Sequence, residues 1–141
     1  MRTLKISLLV FILSKILFAQ TPDTIWTKIF GGDYNDYGSS VQQTTDSGYI
    51  IVGGTESFSA GYNDVWLIKT NSSGDTLWTK TSGDINSDWG YSVIQTTDNG
   101  YAIIGGVSLV GGGNYVSLIK TDSFGGTLWT KSYGGYLGFY L

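Results

Sequence analysis

The sequence has 141 residues and contains no cysteine, no histidine and only one proline, Pro22. Without cysteine, neither a disulfide framework nor a thiolate metal site can form. Without histidine, the commonest general base and zinc ligand are missing, and so is every Ser-His or Cys-His nucleophile arrangement. Charge is scarce as well: Asp, Glu, Lys and Arg make up 13% of the chain. Glu56 is the sole glutamate, which leaves little for glycoside cleavage by paired carboxylates. Beyond Gln20 no run of ten residues shows a 3.6-residue apolar period, so amphipathic helices are not expected there. What the chain does have is 21 glycines and 15% aromatic residues, a mixture that favours short strands joined by tight turns.

Residues 1 to 20, "MRTLKISLLVFILSKILFAQ", differ from the rest. A basic start at Arg2 and Lys5, an apolar run from Ile6 to Leu13 and a small residue at Ala19 predict a secretory signal peptide over residues 1–19. The stretch is too short and too interrupted, at Lys15, for a spanning helix. The expectation is therefore a secreted or cell-surface protein with no stable membrane span after processing. Removing Arg2, Lys5 and Lys15 leaves five lysines against eleven acids, a net charge of 5 − 11 = −6. Such a surface repels phosphate backbones and anionic lipid, so nucleic acid is not an expected partner.

The remainder is written almost twice. "DTIWTK", "GDTLWTK" and "GGTLWTK" place Trp26, Trp78 and Trp129 at spacings of 52 and 51 residues. Between them recur an Asp-aromatic-Gly step, "QTTD", "GY", "GG" and "LIKT". Spacing this regular predicts a repeat architecture, with repeat 1 over residues 26–77, repeat 2 over 78–128 and the start of a third over 129–141. In each repeat four short strands are expected. In the first they fall at 38–44, 49–57, 64–70 and 76–82, separated by turn signals such as Asp46-Ser47-Gly48. The predicted class is all-β, and four antiparallel strands in about 51 residues match one blade of a β-propeller. A solenoid is the alternative, but β-helix coils are shorter and leucine-rich repeats space their leucines differently.

The repeat segment "WTKIFGGDYNDYGSSVQQTTDSGYIIVGGTESFSAGYNDVWLIKTNSSGDTLWTK" resembles the repeats of secreted bacterial β-propeller proteins of the Bacteroidetes type, related to the seven-bladed propeller repeat. The resemblance covers residues 23 to 135 and implies a blade fold, with function left open. Two departures stand out. A closed ring needs several blades where this chain has two and a part, and the C-terminal sorting domain that such proteins often carry is not seen here. The strand from Thr24 to Phe30 would belong to a blade whose inner strands are missing. A two-blade stack would also leave outer faces uncovered, with Ile51, Leu67, Ile104 and Leu118 expected on them. The partners expected are thus the missing blades of a longer chain. The alternative is identical copies closing a ring, as a trimer of two-blade chains would, which resembles some bacterial lectins.

Three constellations carry candidate chemistry. The loop "GDINSDWG" places Asp84, Asn86 and Asp88 in alternation, as in calcium loops, although its glycine falls one position late and no glutamate follows. Of these only Asp88 aligns with an acid in repeat 1, Asp36, so Asx-turns are the competing reading. "KTDSFGGTLW", Lys120 to Trp129, resembles the docking motif of quinoprotein propellers but lacks its threonine, and reads as a turn before a packing tryptophan. Aromatics that do not recur are the candidates for a sugar platform: Tyr62 aligns with Gly113 and Trp66 with Ser117. No catalytic residue and no cofactor is expected, calcium at Asp84, Asn86 and Asp88 being the alternative to the Asx-turn reading. The function expected is a non-enzymatic scaffold or binding surface. One alternative is a carbohydrate-binding module closed by homo-oligomerisation, and another is the remnant of a propeller hydrolase.

Overall fold

The computed structural model describes residues 24–109 and 112–134. The expected signal peptide and the last seven residues of the third copy lie outside them. The described residues form eight strands and no helix: β1 (Asp36–Gln43), β2 (Tyr49–Thr55), β3 (Asp64–Thr70), β4 (Thr76–Ser82), β5 (Ser87–Gln95), β6 (Tyr101–Ser108), β7 (Asn114–Thr121) and β8 (Thr127–Tyr133). They make two antiparallel four-stranded meanders, β1-β2-β3-β4 and β5-β6-β7-β8. The strands expected at 64–70 and 76–82 fall on β3 and β4, that expected at 38–44 begins two residues and ends one residue earlier, and that expected at 49–57 ends two residues earlier. The all-β class holds, and the two sheets do not close on themselves or on each other.

The recurring words of the sequence are structural joints. In "QTTD", the Thr44 hydroxyl and the Gly48 N–H both donate to Asp46 Oδ1, while Lys69 of "LIKT" reaches Asp46 Oδ2 at 2.9 Å and donates to the Thr70 carbonyl at 2.9 Å. Thr96, Gly100, Asp98, Lys120 and Thr121 repeat that arrangement in the second sheet. Each Asp–Lys pair ties the β1–β2 or β5–β6 hairpin to the third strand of its sheet. The next turn is also an Asx-turn in both copies. Asn71 Oδ1 accepts from the N–H groups of Ser73 and Asp75, and Asp122 Oδ1 from those of Phe124 and Gly126. The turn reading of "KTDSFGGTLW" therefore stands.

Alternation along the strands decides which faces meet. In the first sheet Ile50, Val52, Val65 and Leu67 share one face, because Val52 pairs with Leu67 and Gly54 with Val65. That face packs on Val93, Tyr101, Ile103 and Ile119 of the second sheet, and these eight side chains are the core. Burial of each contributes about 1.5–3 kcal/mol relative to exposure. Leu67, expected on an outer face, is thus inside the stack at 3% exposure. Leu67 points opposite to Trp66 and Ile68, and the stacking of the sheets turns its face toward β5 and β6. Hydrogen bonds cross the same junction, from the Gln95 N–H to Gln42 Oε1 at 2.6 Å and from the Thr45 N–H to Gln95 Oε1 at 2.9 Å.

Tryptophan closes each layer onto the next. Trp78 on β4 meets Tyr101 edge-on, with centroids 5.9 Å apart, and covers Gly125, whose φ of +77° suits the turn. Trp26 does the same to Tyr49, at 5.7 Å, and to Gly74. Segment 24–30 therefore lies on the first sheet as β4 lies on the second, although it pairs with no strand among the described residues; Lys28 holds it to Asp75 at 2.8 Å. Among the described residues nothing covers the far face of the second sheet in this way. Ile104 and Val116 are 46% and 48% exposed there, where the aligned Val52 and Val65 are buried.

Candidate functional site

Two regions at the loop ends of the sheets concentrate groups that the fold does not require. The first is a groove of about 830 Å³ between the β2–β3 loop and the start of β5, bordered by Tyr34, Tyr37, Glu56, Tyr62 and Trp89. Tyr34, Tyr37 and Tyr62 are all more than half exposed, with Tyr62 at 67%. Beside the groove, the Asn63 carbonyl accepts the Asp88 N–H at 2.7 Å, and Asn63 bridges to Ser87, which fixes one sheet's loop to the other's first strand. Glu56 is held by one oxygen, to which Asn35 Nδ2 donates at 3.0 Å. Rings with exposed faces beside a carboxylate can stack on the apolar face of a ring and accept from its hydroxyls.

Tyr62, one of the two expected platform aromatics, lies in this groove. Trp66 does not. It is 6% exposed on the opposite face of β3 from Leu67 and packs against Phe58, with centroids 5.3 Å apart. Its non-recurrence is real, but the ring is core in the first sheet. The groove's other aromatics, Tyr34, Tyr37 and Trp89, are gathered by the fold from two sequence copies. Only the aligned pair Tyr37 and Trp89 signals this in the sequence, as the aromatic of the Asp-aromatic-Gly step.

The second region is the acidic loop before β5. Asp84 Oδ1 accepts from both the N–H and the side-chain amide of Asn86 at 2.7 Å, and the Asp84 N–H donates to Asp88 Oδ2 at 3.3 Å. Asp84, Asn86 and Asp88 are thus brought together as an Asx-turned loop. Among the described residues no group of three or more acids is arranged to hold a metal ion.

The aligned acids Asp36 and Asp88 have diverged. Burial raises the Asp36 pKa, but donors outweigh it: the Thr55 and Ser57 hydroxyls and the N–H groups of Gly32 and Ser57 bring it below the usual carboxylate value. Asp88 is 8% exposed, and its pKa is raised, first by burial and then by the nearby charges of Asp84 and Asp64 against one backbone hydrogen bond. The cause is legible in the alignment, since Val107 stands where Thr55 donates in the first copy. Asp36 is a structural brace, whereas Asp88 is a desolvated acceptor with little to accept.

No protein-family model matches this chain, and a search of curated proteins found no match either.

Proposed function

We propose that the protein is an exported, propeller-type binding protein without enzymatic chemistry, and that it holds a saccharide across the groove of Tyr34, Tyr37, Tyr62 and Trp89. The observation that carries this reading is the groove itself: three tyrosines each more than half exposed, and a tryptophan, around one carboxylate. Aromatic faces left in water at that density are a cost that a pyranose partner offsets by covering them. The resemblance to secreted bacterial propeller repeats and the basic-apolar start of the chain support export.

The uncovered face of the second sheet supports stacking of a further four-stranded unit. Ile104, Val116 and Leu118 occupy the positions whose counterparts Val52, Val65 and Leu67 are buried by the neighbouring sheet. A further blade of a longer chain, or the first sheet of an identical copy, supplies the complementary surface.

A glycan array probed with the purified protein tests the saccharide reading, with Tyr62→Ala as the control that removes one platform. Selective binding lost in Tyr62→Ala supports it. Silence on the array, with turnover in a glycosidase screen that Asp36→Asn or Asp88→Asn abolishes, would replace it by the hydrolase alternative.

A further inference from the structure

The two sheets carry the same crevice in two states. In the first sheet the space between the Asp36 loop and β2–β3 is filled by Phe30 and Trp66, and a cavity of only about 90 Å³ remains. In the second, serine replaces both rings, Ser82 for Phe30 and Ser117 for Trp66. The pairing is the same: Trp66 faces Gly53 and Thr81, and Ser117 faces Gly105 and Ser132. The strands have not closed over the missing rings. A cavity of about 420 Å³ remains, bordered by Asp84, Asp88, Val107, Tyr115, Ser117 and Ile119. That volume is within the usual range for small-molecule sites, and strands that keep their pairing while losing two aromatic rings leave open the space those rings took.

The electrostatics of the cavity are one-sided. Asp88 is buried, and Asp64, 2% exposed, has an Oδ1 with no hydrogen-bond partner. Both carboxylates crowd Gly83 on the cavity wall: a Cβ there would lie 2.4 Å from Asp64 Oδ1 and 3.0 Å from Asp88 Oδ2. The ion pairs found among the described residues are Lys28–Asp75, Lys69–Asp46 and Lys120–Asp98, and none reaches Asp64, Asp84 or Asp88. Buried carboxylates without a cation favour a ligand that brings one.

We propose that this cavity binds a small planar aromatic amine, whose ring takes the space that Phe30 and Trp66 fill in the first sheet and whose ammonium group meets Asp88 beside Tyr115. The site is separate from the tyrosine groove and stands without the saccharide reading.

Isothermal titration of the purified full-length protein with tryptamine tests it, with indole-3-acetate as a probe of the same ring and opposite charge. Saturable tryptamine binding is expected, at least tenfold tighter than that of indole-3-acetate. Ser117→Trp, which refills the space from within, is expected to abolish it. Should Ser117→Trp fail to fold, Asp88→Asn serves instead and is expected to weaken tryptamine at least tenfold while leaving indole itself within about twofold. No saturable heat with tryptamine, equal affinity for the anionic probe, or undiminished binding in a folded Ser117→Trp or Asp88→Asn protein would overturn the proposal.

Discussion

Leu67 and Leu118 are the same residue at the same place in two sheets, and truncating each to alanine separates packing from propensity. Leu67 is 3% exposed and pressed between the sheets, so Leu67→Ala removes a side chain from the core and leaves a cavity among Ile50, Val52, Val65 and Ile103. Such truncations cost 2–5 kcal/mol, and a site enclosed by two sheets has little freedom to collapse, which places this one at about 3 kcal/mol. Leu118 is half-buried on the uncovered face, where its neighbour Ile104 is 46% exposed. Leu118→Ala loses only part of a transfer term, about 1 kcal/mol. The difference of about 2 kcal/mol is a change of roughly 30-fold in the folded-to-unfolded ratio. Urea unfolding at low protein concentration reads it from the midpoints, provided the slopes agree. Equal costs in a monomer would refute the assignment of faces. A Leu118→Ala cost that grows with protein concentration would instead report that a further unit covers that face.

Asp36→Asn and Asp88→Asn should differ in their effect on stability at pH 7. The first gives up charge-assisted hydrogen bonds from Thr55 and Ser57 and should cost about 1–3 kcal/mol. The second removes a buried charge whose pKa is raised in the fold and should be neutral or stabilising by thermal unfolding; matching losses would contradict the divergence of the two acids. The Asp46 carboxyl lies at about 2, lowered first by the Thr44 hydroxyl and then by Lys69, and Asp98 is lowered likewise by Thr96 and Lys120. Acids lowered in the fold lend stability that is fully present above their unfolded value near 4 and lost as pH falls through the folded value. Unfolding free energy should therefore drop between about pH 4 and pH 2, and less steeply in an Asp46→Ala, Asp98→Ala double variant. Gly125→Ala places a Cβ at φ +77° and 2.7 Å from the Trp78 ring. It should cost about 2 kcal/mol or more and shift tryptophan emission, whereas an unchanged spectrum and stability would mean that Trp78 does not lie over that turn.

How much of this was legible in the sequence depended on whether a residue acts within its own repeat or across the junction. Turn chemistry is local, so "QTTD", "LIKT" and the glycine before "TLWTK" forecast strand ends within a residue or two. Face assignment is not local: Leu67 alternates correctly with Trp66 and Ile68, but parity alone does not say which face meets the neighbouring sheet. The register of stacking settles that, and it places Leu67 inside and its twin Leu118 outside. The candidate sites show the same limit. Comparing copies draws attention to Trp66 and Ser117, and the simplest inference gives function to the aromatic partner. Packing reverses the inference, because a large ring between strands fills space and a serine in its place opens it. Phe30 and Ser82 carry the same message, but lie 36 and 35 residues from those partners in the chain. They acquire meaning only once β3 and β7 are seen to bring each pair to one crevice. Asp36 and Asp88 follow suit: an unaltered aspartate changed character because a threonine one strand away became Val107. In a chain built from near-copies, a position that differs points to a candidate site, and its neighbours across the strand decide whether that position fills space or opens it.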